Sequence, residues 1–268
     1  MKSNTLILSS NTTDFTTTYI SPQIQFYPNK QYEAALLSVD TYNSIPNITD
    51  ENNKFRYSSD KGITWKPLTL SKGSYELQAI NDEIQRQMII NGDFDSVKNE
   101  YYITISANVS ELKSIINVTN ESYLVDFRIE NSIGPTLGFL PTSSLIGCGY
   151  NKSEEIVNIT KVNSVLINVD IISGSYVNGN QSPVIYSFNP NKVSPGYKID
   201  ERPNPKLIYY PVNSLVIDSI RVWLTDQNNN PIDLRGETVT VTLHLREVKN
   251  VKQQIKKAIK ELKNENVL

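Results

Sequence analysis

Near its end the chain alternates strictly: Val239, Val241, Leu243 and Leu245 are apolar, and Thr240, Thr242 and His244 between them are polar. A period of two puts one set on a core and the other in solvent, so the stretch from Leu234 to Arg246 is predicted to be a half-buried β-strand. Further strands are predicted at Tyr101–Ser106, Leu124–Ile129, Ser164–Ile172, Val184–Phe188, Lys206–Val212 and Ser219–Thr225, with clusters of Gly, Pro, Asn and Ser between them. From Tyr19 to Asn47 two strands flank a turn at Pro28-Asn29-Lys30. Gly62, in Asp60-Lys61-Gly62, predicts a tight hairpin joining Phe55-Arg56-Tyr57 to Ile63-Thr64-Trp65.

The period changes twice. Leu77, Ile80, Ile84 and Met88 recur at spacings of three and four, which predicts a helix capped by Ser74 and closed at Asn91-Gly92. Many short strands, one internal helix and no βαβ spacing predict an all-β fold, an antiparallel β-sandwich of jelly-roll type. No long linker or internal repeat divides the chain, so residues 1–247 are assigned to one jelly-roll domain. Beyond it Val248, Val251, Ile255, Ala258, Ile259 and Leu262 fall at helical spacings, with Lys249, Lys252, Lys256, Lys257, Lys260 and Lys263 between them. Residues 248–268 are therefore predicted as a basic amphipathic C-terminal helix. Three readings of it stand open: docking of the apolar stripe on the sandwich or a neighbouring subunit, contact of the lysines with nucleic acid or a membrane surface, and a disordered tail.

Composition narrows the picture. With 38% hydrophobic residues in 268, the chain can fill a core, and a net charge of −2 excludes a surface that is basic overall. Cys148 is the only cysteine, which rules out a disulfide framework and suits a reducing compartment. The apolar run Leu6-Ile7-Leu8 is too short for a signal-peptide core, and no window nears the roughly 18 apolar residues of a membrane span. Without a secretion signal, the Asn-x-Ser/Thr sequons such as Asn11 and Asn47 read as coincidence.

Candidate chemistry is thin. His244 is the only histidine, there is no Gly-x-Ser-x-Gly elbow, and alternation sets His244 on the polar face of a strand. One His and one Cys cannot build a zinc site. Asn91, Asp93 and Asp95 alternate like calcium ligands, but Ser96 and Tyr102 stand where such a loop needs glycine and glutamate. Paired carboxylates for hydrolysis have only Asp93 with Asp95, in a loop, and the adjacent Glu154-Glu155. No phosphate-cradling glycine loop occurs. The chain is thus expected to be a non-enzyme without catalytic, metal or cofactor residues.

Five segments follow one another in order: Gln31-Tyr32-Glu33-Ala34-Ala35-Leu36 followed by Ile45-Pro46-Asn47, Gly73-Ser74-Tyr75 leading to Ile80-Asn81, and Leu137-Gly138-Phe139. Next come Val165-Leu166-Ile167-Asn168-Val169-Asp170-Ile171-Ile172 with Tyr176-Val177-Asn178-Gly179 and Ser182-Pro183-Val184-Ile185, and then Tyr209-Tyr210-Pro211-Val212 through Leu224 to the alternating strand. In this order they resemble the minor capsid (penton) proteins of Polinton/Maverick elements and related virophages. Tyr32 stands where tryptophan is common, and Asn229-Asn230 where a glycine is frequent. The likeness covers residues 19–246; the lysine tail lies outside it.

This resemblance implies a jelly-roll subunit that forms a homopentamer and plugs the icosahedral vertices of a virion, among trimers of a double jelly-roll major capsid protein, with assembly inside the host cell. It also allows packaged DNA as a partner of the tail lysines. Tyrosine is abundant, 15 against 7 Phe and 2 Trp, and suits interfaces. Trp223 and Tyr176 are the candidate interface residues; Trp223 alternates with Val222 and Leu224 and should face away from the core. The alternative is a carbohydrate-binding jelly-roll module or receptor-attachment protein, for which Trp65 and Trp223 are the stacking candidates. A sandwich-fold hydrolase would need Asp93 or Glu155 beside a second acid.

Overall fold

The structure, a computed structural model, describes residues 3–142, 145–203 and 206–248. Eight strands form a sandwich: β1 Ser3–Ser10, β2 Asp14–Gln25, β3 Tyr32–Tyr42, β4 Val165–Val169, β5 Val184–Phe188, β6 Lys198–Glu201, β7 Val216–Asp226 and β8 Val239–Glu247. One sheet runs β1-β8-β3-β6 and the other β2-β7-β4-β5, with every pairing antiparallel. First pairs with last, second with seventh, third with sixth and fourth with fifth by wrapping of the chain, which is the jelly-roll order. The turn at Pro28 therefore carries the chain from one sheet to the other; β2 and β3 do not pair.

The alternation in β8 is realised residue by residue. Val239, Val241, Leu243 and Leu245 are buried, facing Ile220, Val222 and Leu224 of β7 and Val165, Ile167 and Val169 of β4 across the sandwich. Each such side chain contributes about 1.5–3 kcal/mol of burial. Register is set by this burial: Leu6 lies opposite Leu243 and Leu8 opposite Val241, whereas a one-residue slip would turn these side chains outward.

Between β3 and β4 the chain builds a second hydrophobic cluster, which the sequence pattern did not suggest. It holds the hairpin Lys54–Ser58/Lys66–Thr69, helix α1 (Leu77–Ile90), the three-stranded sheet of Ile103–Asn108, Lys113–Val118 and Gly149–Lys152, and the short helix α2 (Gly134–Leu137). Helix α1 buries Ile80, Ile84 and Met88 as its period requires. Two buried polar residues tie it to the sheet: Asn81 Oδ1 accepts the N–H of Ile105 at 2.8 Å, and Gln85 Nε2 donates to the Ile103 carbonyl at 3.3 Å.

Several expectations shift. Ser74 does not cap α1; its hydroxyl donates to the Ile45 carbonyl, and Glu76 holds the N-cap position without a side-chain bond. The hairpin exists, but Ile63-Thr64-Trp65 stay in its loop and Lys66–Thr69 pair instead, because Asp60 accepts from Thr64 and holds the loop wide. The strands expected at Leu124–Ile129 and Lys206–Val212 shrink to Leu124–Val125 and Tyr210–Pro211. The predicted tail helix lies outside the described residues. No described helix is long and apolar enough to cross a membrane.

Candidate functional site

The feature of the sandwich that most needs a partner is one flank. Strands β1 and β2 are both sheet edges, and a short turn joins them, so two unpaired rows of backbone groups lie side by side. Between residues 3 and 25 the sequence holds one charge, Asp14, and that carboxylate is bound by Arg221 at 2.5 Å. Ile7 is 70% exposed and Tyr19 82%. Natural sheets blunt such edges with lysine, proline, short length or bulges, because an uncharged edge recruits other strands; β2 has Pro22 and two register shifts against β7, whereas β1 pairs without a shift and carries no charge. Strand β6, an edge at the far flank, is built that way: it has four residues, three of them charged, with Lys198 bound to Asp40 at 2.9 Å and Glu201 to Lys192 at 2.8 Å. The charge-poor run was readable in the sequence; that it forms two adjacent edges was not.

Trp223 sits on the outer face of β7, half-buried and directly opposite Asn168 in register, as the alternation requires. The Arg221 guanidinium lies 5.1 Å from its ring, so a cation occupies one face of the indole. Trp65 carries Arg56 in the same way at 4.9 Å. Tyr176 lies elsewhere, 69% exposed on the small hairpin Ser175–Val177/Asn180–Ser182. That hairpin turns at Asn178-Gly179 with φ of 50° and 83°, the conformation of a type I′ turn. Trp223 thus belongs to a sandwich strand and Tyr176 to a separate hairpin. Lys249, Lys252, Lys256, Lys257, Lys260 and Lys263 lie outside the described residues.

The polar groups weighed as chemistry are engaged structurally. His244 Nδ1 is 2.9 Å from the Tyr209 hydroxyl on the outer face of β8, and Arg246 stacks on the Tyr209 ring at 3.4 Å while binding Glu33 at 2.6 Å. Asp93 is buried in the second cluster and accepts from Tyr57 at 2.5 Å, Lys66 at 2.6 Å and Tyr123 at 3.0 Å. Burial works to raise its pKa, but the bonds from Lys66 and the two tyrosines outweigh it and hold the carboxyl below its usual value. Burial first, and Asp93 second, push both tyrosines well above theirs. Asp95 instead accepts the N–H groups of Val97 and Lys98, so the two aspartates do not form a pair. Among the described residues, no three or more His, Cys, Asp or Glu gather to hold a metal.

No protein-family model matches the chain. No curated protein matches it either. Among solved structures it is similar to the penton protein of mavirus, at 12% identity and a TM-score of 0.48, over 92% of this chain and 100% of that one. A second similarity, to the D2-D3 domains of the flagellar cap protein FliD from Escherichia coli, has a TM-score of 0.15 at 12% identity over 89% and 98% of the two chains.

Proposed function

We propose that this chain is a structural subunit of a virus particle, a minor capsid protein that closes into homopentamers at the vertices of an icosahedral shell. The observation that carries the reading is the charge-poor flank of β1 and β2, whose one carboxylate, Asp14, is already paired with Arg221, a surface suited to continuous cover by a neighbour. A five-membered ring supplies such cover through a heterologous contact, each subunit presenting one flank to a different surface of the next. The sequence resemblance to Polinton/Maverick and virophage pentons supports it, since its fourth and fifth blocks fall on β4, β7 and β8, the strands that build the sandwich. In this reading Trp223 and Tyr176 serve contacts with neighbours, including a double jelly-roll major capsid protein. The tail lysines face packaged DNA, and no catalytic step is required.

Light scattering on the purified chain tests the proposal. A particle of five times the 30.3 kDa chain supports it. A monomer at every concentration, both alone and mixed with a double jelly-roll major capsid protein, overturns it.

A further inference from the structure

We infer that Asn178 is a self-modifying site, whose side-chain amide is displaced by the backbone nitrogen of Gly179 to leave an aspartyl or isoaspartyl residue on an exposed hairpin. The reaction needs only water. The Gly179 nitrogen gives up its proton and attacks the Asn178 Cγ; the new C–N bond closes a five-membered succinimide, the Cγ–Nδ2 bond breaks, and ammonia leaves with that proton. Water then opens the ring at one of its two carbonyl–nitrogen bonds, giving aspartate by one route and isoaspartate by the other. A following glycine favours the attack because no side chain blocks it, and Asn-Gly occurs twice in the chain, at Asn91-Gly92 and Asn178-Gly179.

The two sites are built differently. Asn91 Nδ2 donates to the Tyr57 hydroxyl at 3.1 Å, so the leaving amide is held. The Gly92 N–H donates to the Ile89 carbonyl at 2.9 Å, so the attacking nitrogen is held as well, at the end of α1. Swinging that peptide onto the side chain breaks both bonds, at about 0.5–1.5 kcal/mol each. It also pulls on Asp93, which Tyr57, Lys66 and Tyr123 grip. At Asn178 these restraints are absent. Among the described residues its carboxamide has no hydrogen-bond partner, and the Gly179 N–H has no acceptor. A Cβ on Gly179 would meet nothing within 4 Å, so the turn has open space around it. No residue from 175 to 182 is buried, and none belongs to either hydrophobic cluster. A two-stranded hairpin with no core beneath it is marginal by itself, so this turn opens far below the cost of global unfolding. Conversion sets a carboxylate two residues from the exposed Tyr176 ring, and the isoaspartyl route adds a methylene to the backbone, which shifts the turn that closes Val177 on Asn180. The inference stands apart from the capsid reading.

Peptide mapping by mass spectrometry tests it, on the intact chain incubated at physiological temperature and mildly alkaline pH. The peptide that holds Asn178 should show the amide-to-acid mass gain about tenfold faster than the peptide that holds Asn91, which corresponds to a difference in opening cost of about 1.4 kcal/mol. In guanidinium chloride, with the chain unfolded, the two rates should converge. Equal rates in the folded chain, or faster conversion at Asn91, overturn the inference. A rate ratio that survives unfolding also overturns it, because the neighbouring sequence and not the fold would then set the difference. So does a product at Asn178 that is aspartate alone, since only the succinimide gives isoaspartate.

Discussion

Arg128 donates its Nε to the Asp126 carboxylate at 2.8 Å, and Arg56 reaches the other oxygen of the same, almost wholly buried group. Burial alone would raise the pKa of Asp126, but the bonds from Arg128 and then Arg56 outweigh it and hold the carboxyl at about 2. An unfolded aspartate titrates at about 3.9, so Asp126 with its two arginines contributes stability that is fully present above that pH and lost as pH falls through about 2. The linked amount is on the order of 2 kcal/mol. Urea unfolding from pH 6 to pH 2 should show Asp126→Asn less stable at the top of this range, with the gap to the wild type closing at the bottom. A gap that stays constant with pH would assign the acid sensitivity to other carboxylates.

The Asp93 cluster predicts a different pattern. Asp93→Ala leaves the Lys66 ammonium and the Tyr57 and Tyr123 hydroxyls facing a cavity, and should cost about 3 kcal/mol. Tyr57→Phe removes one of the three donors to Asp93 and the acceptor of Asn91 Nδ2, with no charge left unpaired, and should cost about 1–2 kcal/mol. Denaturant midpoints of the two variants check the ratio. Equal small losses would mean that water replaces the carboxylate without difficulty.

Gly138 ends α2 at a φ of 85°, and a Cβ there would lie 2.3 Å from the Glu155 carbonyl oxygen. Glu155 in turn donates its N–H to the Gly138 carbonyl at 2.9 Å, so neither backbone can retreat without breaking the bond. Gly138→Ala should therefore destabilise by about 3 kcal/mol or more. Gly92, at a φ of 77° with open space around it, carries only the conformational cost, and Gly92→Ala should lose about 1 kcal/mol. Thermal unfolding of the two variants separates clash from dihedral strain.

Where one face of an element meets a core and the other meets water, the pattern was legible: β8, β7 and α1 could be read directly, and so could the outward side of Trp223. Legibility failed where partners are distant in sequence. Ser74 looks like a cap until the Ile45 carbonyl takes its hydroxyl, and Asp93 looks like a loop ligand until Tyr57 and Lys66, about thirty residues earlier, close on it. The strand Lys113–Val118 hid because Ile115 and Ile116 are adjacent, so no clean alternation marks it, although Ser114, Ile116 and Val118 all face inward. The second cluster went unread because it is assembled from such short pieces.

The exposed flank yields the prediction on which assembly turns. Ile7 and Tyr19 point away from the sandwich core on the two adjacent edge strands, and neither contributes to either hydrophobic cluster. Lysine at either position should leave the unfolding midpoint of the isolated chain within about 0.5 kcal/mol of the wild type. In a ring, the same lysine would be desolvated against a neighbour with no carboxylate on its own flank to pair with, since Asp14 is already held by Arg221. The Ile7→Lys, Tyr19→Lys double variant should therefore fold normally yet remain a single chain under conditions where the wild type assembles. Lysine on the far flank, at exposed Ser187 of β5, serves as the control for added charge. If the double variant assembles as the wild type does, the charge-poor edges are not the contact, and the neighbour must be held by another surface.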